Sequence, residues 1–260
     1  MSNKILILMC YYERPNMVRF ALESIRVQNY DNWELCFVDD TETGTGEKSV
    51  KDIFGNDPRV QYVCTYNSAE QKQSQGGSKV GYFWNQAIYN SDAEVSFVLC
   101  DDDYLDKTYL SDLSEWYSEH PDVMYAHSDF VQYNPFSVKT IDEVDLNTIY
   151  EPYTNRDGHV LKQRVCEVNY DTHAAGVLDA SQVSWRNSVF KTRGVKFDDL
   201  RGEQSRNFDL VLFTQLDRLF GKSTYTEIIG QYKGDHSDQF GHRVDKGNLN
   251  KPLDLNFAPY

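Results

Sequence analysis

Four short apolar runs, each stopped by polar residues, decide what this chain can fold into. Lys4–Cys10, Trp33–Val38 and Val95–Cys100 are apolar almost throughout, and Val60–Thr65 is a fourth run of the same length class. Runs this brief and this continuous read as strands buried on both faces of a sheet. Helical spacing fills the gaps between them. Pro15 stands where a helix tolerates it, at the first turn, and Val18, Leu22 and Ile25 continue at helical intervals. Val80, Phe83, Trp84, Ala87 and Ile88 mark a second helix, about Leu105–Glu119 a third, and Val123–Ala126 a further strand. Strand and helix in alternation predict an α/β fold: a mainly parallel sheet with helices on both faces, in a single domain over residues 1–260.

Ligands in such sheets bind beyond the carboxyl ends of the strands. Here three strand ends carry polar clusters: Cys10–Glu13, Asp39-Asp40 and Asp101-Asp102-Asp103. They should meet at one edge. Three consecutive carboxylates repel one another unless solvent or a cation intervenes. They can be a solvated, helix-capping turn. A calcium loop is excluded, because Asp106 stands where that loop needs glycine and Leu105 where it needs an oxygen ligand. The remaining reading is Mn²⁺ or Mg²⁺, held by one or two carboxylates and completed by substrate phosphates. Asp39-Asp40 can cap a turn or accept hydrogen bonds from a base or ribose.

Composition narrows the class. The 26 Lys and Arg against 40 Asp and Glu give a formal charge of −14, which disfavours polyanion binding through the average field. The 18 Tyr and 14 Phe suit flat ring ligands but also pack half-buried in any α/β protein. Cys10, Cys36, Cys64, Cys100 and Cys166 form no C-x-x-C pair and read as reduced, buried thiols. The longest apolar run, Ile5–Tyr12, is too short to cross a bilayer and lacks the flanks of a secretory signal, so a cytoplasmic location is expected. The absence of G-x-x-x-x-G-K-[ST], G-x-G-x-x-G and G-x-S-x-G counts against a kinase, a dehydrogenase and a serine hydrolase.

Taken together, the order of these segments resembles the family 2 glycosyltransferases of GT-A fold. The match runs through Cys10-Tyr11-Tyr12-Glu13, Glu23-Ser24-Ile25-Arg26-Val27-Gln28, Glu34–Asp40, Trp84-Asn85-Gln86-Ala87-Ile88 and Leu99–Asp103, the last in the D-x-D position. Spore-coat polysaccharide transferases are the nearest subgroup. The family carries aspartate where this chain has Cys100, and an acid where it has Phe208 before Asp209. The resemblance implies a donor half over residues 1–130 and an acceptor half with a tail over 131–260. It places Tyr12 against the nucleotide base, Asp40 on base or ribose, Lys79 near base or diphosphate and Asp101 on the ribose. Asp102 and Asp103 become metal ligands, His236 after the last strand a further one, and Asp209 the catalytic base, with Glu203 in reserve.

The activity so implied is inverting, metal-dependent transfer of a sugar from a nucleoside-diphosphate sugar, UDP first, to an acceptor hydroxyl. The acceptor class is a glycan or glycoconjugate, with a modified nucleic-acid base left open, as is the oligomeric state. A sugar-nucleotidyltransferase would need a glycine- and arginine-rich loop after the first strand, and Cys10–Pro15 has no glycine. A silent nucleotide- or glycan-binding protein on the same scaffold is the other alternative. Asn134–Thr172 and Lys233–Tyr260 show little periodicity and read as functional or mobile excursions.

Overall fold

A computed structural model describes residues 2–68, 70–71, 79–133, 153–154, 160–161, 170–197 and 208–234. The apolar runs form β1 (Ile5–Tyr11), β2 (Trp33–Asp39), β3 (Val60–Cys64) and β4 (Val95–Cys100). They are followed by β5 (Tyr104–Leu105), β6 (Tyr125–Tyr133), the short pair β7 (Tyr153–Thr154) and β8 (Val160–Leu161), β9 (Val183–Arg186) and β10 (Thr224–Gly234). Eight of these make one sheet in the order β3-β2-β1-β4-β9-β6-β10-β5. β1 to β4 pair in parallel, as do β6 and β10, while β9 and β5 run antiparallel to their neighbours. The expected mainly parallel α/β sheet is therefore present.

The two cores follow from the alternation of side chains along β1. Leu6 and Leu8 face α3 (Val80–Asn90), α5 (Ser188–Arg193) and α6 (Phe208–Phe220). Ile5, Ile7, Met9 and Tyr11 face α1 (Pro15–Arg26), α2 (Glu47–Phe54) and α4 (Tyr109–Glu119). Runs with apolar residues at every position are required because both faces are covered.

Several boundaries differ from expectation. The helix expected from Leu105 begins at Tyr109, because Tyr104 and Leu105 pair with Tyr232 and Gln231 at the sheet edge. Leu105 N–H there donates to Ser24 Oγ at 3.0 Å. The strand expected at Val123–Ala126 starts at Tyr125 and runs to Tyr133. Helix α2 shows no long apolar stripe in the sequence; Val50, Ile53 and Phe54 alone turn inward, and Gly55 at φ +60° ends it. Cys36 is buried as expected, but Cys10, Cys64 and Cys100 are half-buried, since they lie at strand ends where the sheet opens. All four are free thiols; Cys166 lies outside the described residues. Most of the two expected excursions also lies outside them. No helix among the described residues is long and apolar enough to cross a membrane.

Candidate active site

The carboxyl ends of β1, β2 and β4 do converge, and they do so through backbone bonds. Asp40 N–H donates to Tyr11 O at 2.9 Å, and Thr65 N–H donates to Asp39 O at 2.9 Å. The two neighbouring aspartates have separate tasks. Asp39, fully buried, accepts from Thr41 N–H (3.0 Å), Thr41 Oγ1 (2.6 Å), Gly46 N–H (2.7 Å) and Tyr62 Oη (2.8 Å). It pins the loop between β2 and α2 and has no capacity to spare. Gly46 is required there, since a Cβ would stand 2.7 Å from Tyr11 Cδ1 and 2.9 Å from Asp39 Oδ2.

Asp40, 7% exposed, accepts from Thr65 Oγ1 at 2.9 Å. Asn67 is 5% exposed, and its Nδ2 donates to no group among the described residues. Its N–H is 3.4 Å from the same Thr65 Oγ1 that Asp40 holds. A buried amide donor and a buried acceptor thus both adjoin Thr65 at the end of β3. Asn67 carries no sequence signal of its own, since it sits two residues beyond the Val60–Thr65 run.

At β4 the acids are matched by cations of the same chain. Asp101 Oδ2 accepts from Tyr12 N–H at 3.0 Å, and Asp101 Oδ1 lies 3.2 Å from Arg14 Nη1. The same Nη1 donates to Asp102 Oδ2 at 2.5 Å. Glu13, between Tyr12 and Arg14, is held at φ +53°, a costly conformation for a residue with a Cβ. That turn is what aims the Tyr12 N–H and the Arg14 side chain at the same carboxylate. Burial pushes Asp101 up to about 7, with Arg14 pulling against it and Asp102 adding to it. Burial opposes charge on Arg14, but Asp101 and Asp102 outweigh it and strengthen its hold on the proton.

A second set faces the opposite core. Asp103 N–H donates to Cys100 O at 3.2 Å, folding Asp103 back over the strand end. Ligand atoms of Cys100, Asp102 and Asp103 all lie within 4.8 Å of one another. Burial drives the Cys100 thiol well up, and the charges of Asp103, Asp102 and Asp179 add to this. Lys233, near the end of β10, forms an ion pair with Asp179, which also caps the turn Ala180–Gln182 before β9. Burial opposes charge on Lys233, yet Asp179 and then Asp103 overcome it and raise its proton affinity. Asp209, in the first turn of α6, is pushed up by burial, against the N–H of Leu210 at 2.8 Å. Asp179 raises it further and Lys233 lowers it, so the base candidate shares a field with the acidic cluster. The first turn of a helix favours the charged form of a carboxylate, but here burial prevails.

The structure thus gathers Tyr12, Asp40, Asp101, Asp102 and Asp103, and links Asp209 to them through Lys233 and Asp179. Lys79 is exposed, immediately before α3. Glu203 and His236 lie outside the described residues. Arg14, Asp179 and Lys233 were missed as site residues. Lys233 was within reach of the rule already applied to the other strands, because it too sits at the carboxyl end of a parallel strand.

The fold has solved counterparts. S. aureus TarS in complex with UDP superposes with a TM-score of 0.60 over 90% of this chain and 61% of that one, at 15% identity. The mannosyltransferase PcManGT from Pyrobaculum calidifontis, in complex with GDP-Man and Mn²⁺, gives 0.56 over 95% and 60%, at 12% identity. Among curated sequences, the uncharacterized protein y4gI of Sinorhizobium fredii is 30% identical over 176 residues, 66% of this chain and 17% of its own length. Protein CgeD of Bacillus subtilis is 25% identical over 129 residues, 49% of this chain and 29% of its own. The chain thus spans less than a third of the curated relatives it matches. The model of glycosyl transferase family 2 matches residues 6–176, about two thirds of the sequence, including the ends of β1, β2, β3 and β4, and the chain belongs to that family.

Proposed function

We propose that this chain transfers a sugar from a nucleoside-diphosphate sugar to an acceptor hydroxyl with inversion at the anomeric carbon. The observation that carries the donor reading is the Asp40–Asn67 pair. An acceptor carboxylate beside a buried amide donor matches a base edge with an N–H next to a carbonyl. Uracil and guanine present it as ring N–H beside carbonyl, and adenine and cytosine as an exocyclic amine beside a ring nitrogen, so the pair takes a base edge without choosing among bases. UDP is the first choice, since S. aureus TarS, of similar fold, was solved with UDP, and GDP is the second. Tyr12, half-buried and fixed by Asp101, supplies a ring face for the base. Asp101, with both oxygens engaged, serves the ribose side by holding that turn in place. Lys79 and Arg14 are the cations nearest the path of the diphosphate.

Asp102 and Asp103 form a donor set that fits a divalent Mn²⁺ or Mg²⁺, with His236 proposed as a further ligand. When bound, the ion supplies neutralisation of the charge on the departing diphosphate. Asp209 takes the proton of the attacking hydroxyl; burial raises it toward working pH, where a base is most effective. Lys233 keeps Asp103 and Asp209 from repelling each other across the space the sugar must occupy. The acceptor is a glycan or glycoconjugate, held by the half beyond residue 131.

A panel of sugar nucleotides with Mn²⁺, read as nucleoside diphosphate released, tests the assignment. UDP-sugars should turn over fastest, with GDP-sugars second. Pyrophosphate release from a nucleoside triphosphate and sugar phosphate would mark a nucleotidyltransferase instead. Binding without turnover on any acceptor would mark a silent binding protein.

A further inference from the structure

We infer that Cys100 is a direct ligand of the divalent cation, which makes this a mixed thiolate–carboxylate centre that selects Mn²⁺ and softer ions over Mg²⁺. The inference rests on the metal reading above. It concerns the one position of the acidic segment where this chain departs in chemical type, a thiol in place of a carboxylate.

Three observations converge on it. Cys100 is the last residue of β4, and the Asp103 N–H to Cys100 O bond of 3.2 Å curls the chain so that Asp103 returns beside it. That turn brings the Cys100 Sγ within 4.8 Å of carboxylate oxygens of both Asp102 and Asp103, close enough for one ion to touch all three. Asp102 is fixed from its far side by Arg14, and Asp103 and Asp102 are 2% and 8% exposed, so few waters share the cluster. Cys100 is half-buried at the strand end, at the rim of the α3 core, where its thiol borders the two acids.

The chemistry sets the selectivity. Mg²⁺ demands a near-octahedral oxygen shell and gives up its water reluctantly, so a sulfur donor contributes little to it. Mn²⁺, Co²⁺, Zn²⁺ and Cd²⁺ accept a thiolate with increasing ease. On binding, the S–H bond breaks, the sulfur–metal bond forms from the sulfur lone pair, and the proton passes to solvent. No oxidant or reductant is needed.

Cobalt reports the bond directly. The chain is titrated with Co²⁺ in the presence of UDP, and the near-ultraviolet sulfur-to-cobalt charge-transfer absorption is recorded. The wild type should show the band at one equivalent. Cys100→Ser should lose it, and Cys10→Ser should keep it, although Cys10 is the partner of Cys100 in the β1–β4 register. Cys100→Asp provides a second reading, because it should raise the Mg²⁺-supported thermal shift with UDP to the level Mn²⁺ gives. Bound Co²⁺ without the band, or a band that survives Cys100→Ser, overturns the inference while leaving the metal site standing. Failure of Mn²⁺ to bind at all with UDP, read by its paramagnetic resonance signal, overturns both.

Discussion

Asp39 and Asp40 are adjacent and identical in type, yet the structure gives them opposite consequences when mutated. Replacing Asp39 by Asn removes one of two acceptor oxygens in a buried carboxylate that takes four bonds. If the amide oxygen stays with Thr41, the new NH₂ faces Gly46 N–H; Tyr62 can reverse its hydroxyl, but Gly46 cannot. If the amide flips, the Thr41 N–H is the one left unpaired. Either way one buried backbone donor is orphaned, at about 1–3 kcal/mol. The surviving bonds fall from charged to neutral strength, adding about 1–2 kcal/mol more. The expected loss is therefore about 2–5 kcal/mol, or roughly 5–15 °C in melting temperature for a domain of this size.

Asp40→Asn should behave differently. Thr65 Oγ1 can still donate to the amide oxygen, so the melting temperature should move by little. UDP affinity should fall about 10- to 100-fold, because a ligand N–H then loses a charged acceptor. Urea unfolding and calorimetric titration of UDP measure both quantities on both variants. An Asp39→Asn protein as stable as wild type, or one whose sole defect is UDP affinity, would refute the division of labour.

Asp209→Asn should lower transfer by ~10²–10⁴ with UDP affinity unchanged. Because burial raises the acid, wild-type kcat should fall as pH drops through a pKa above the usual aspartate range, a limb absent from Asp209→Asn. Arg14→Met leaves Asp101 and Asp102 without their cation, which for a largely buried pair costs on the order of 3 kcal/mol, and added Mn²⁺ should restore more stability to the variant than to wild type. Gly46→Ala should destabilise by about 1–3 kcal/mol through contact with Tyr11 and Asp39, seen as a lower urea midpoint at unchanged slope.

The strands and longer helices could be read directly because their signal is local. A strand covered on both faces has no choice but to be apolar at every position, and β1, β2 and β4 announced themselves that way. The misread segments are those fixed from a distance. Tyr104 and Leu105 are a strand only because Gly230–Tyr232 arrive beside them more than a hundred residues later. α2 is held by the loop that Asp39 pins, and its own sequence carries just three inward apolar residues.

The site divides along the same line. Its acids could be found because they follow strand ends, a place defined by pattern. Its cations could not be ranked that way: Arg14 meets Asp102 across 88 positions, and Lys233 meets Asp179 across 54. Nothing in the spacing of either pair marks it. What does demand them is electrostatics, since Asp101, Asp102 and Asp103 together at one buried edge repel one another without compensating charge. Three acids converging on a dry edge thus oblige the chain to bring cations there. Arg14 and Lys233 meet that need from the strand and helix ends that open onto the same edge, so the cations, like the acids, are products of the parallel sheet.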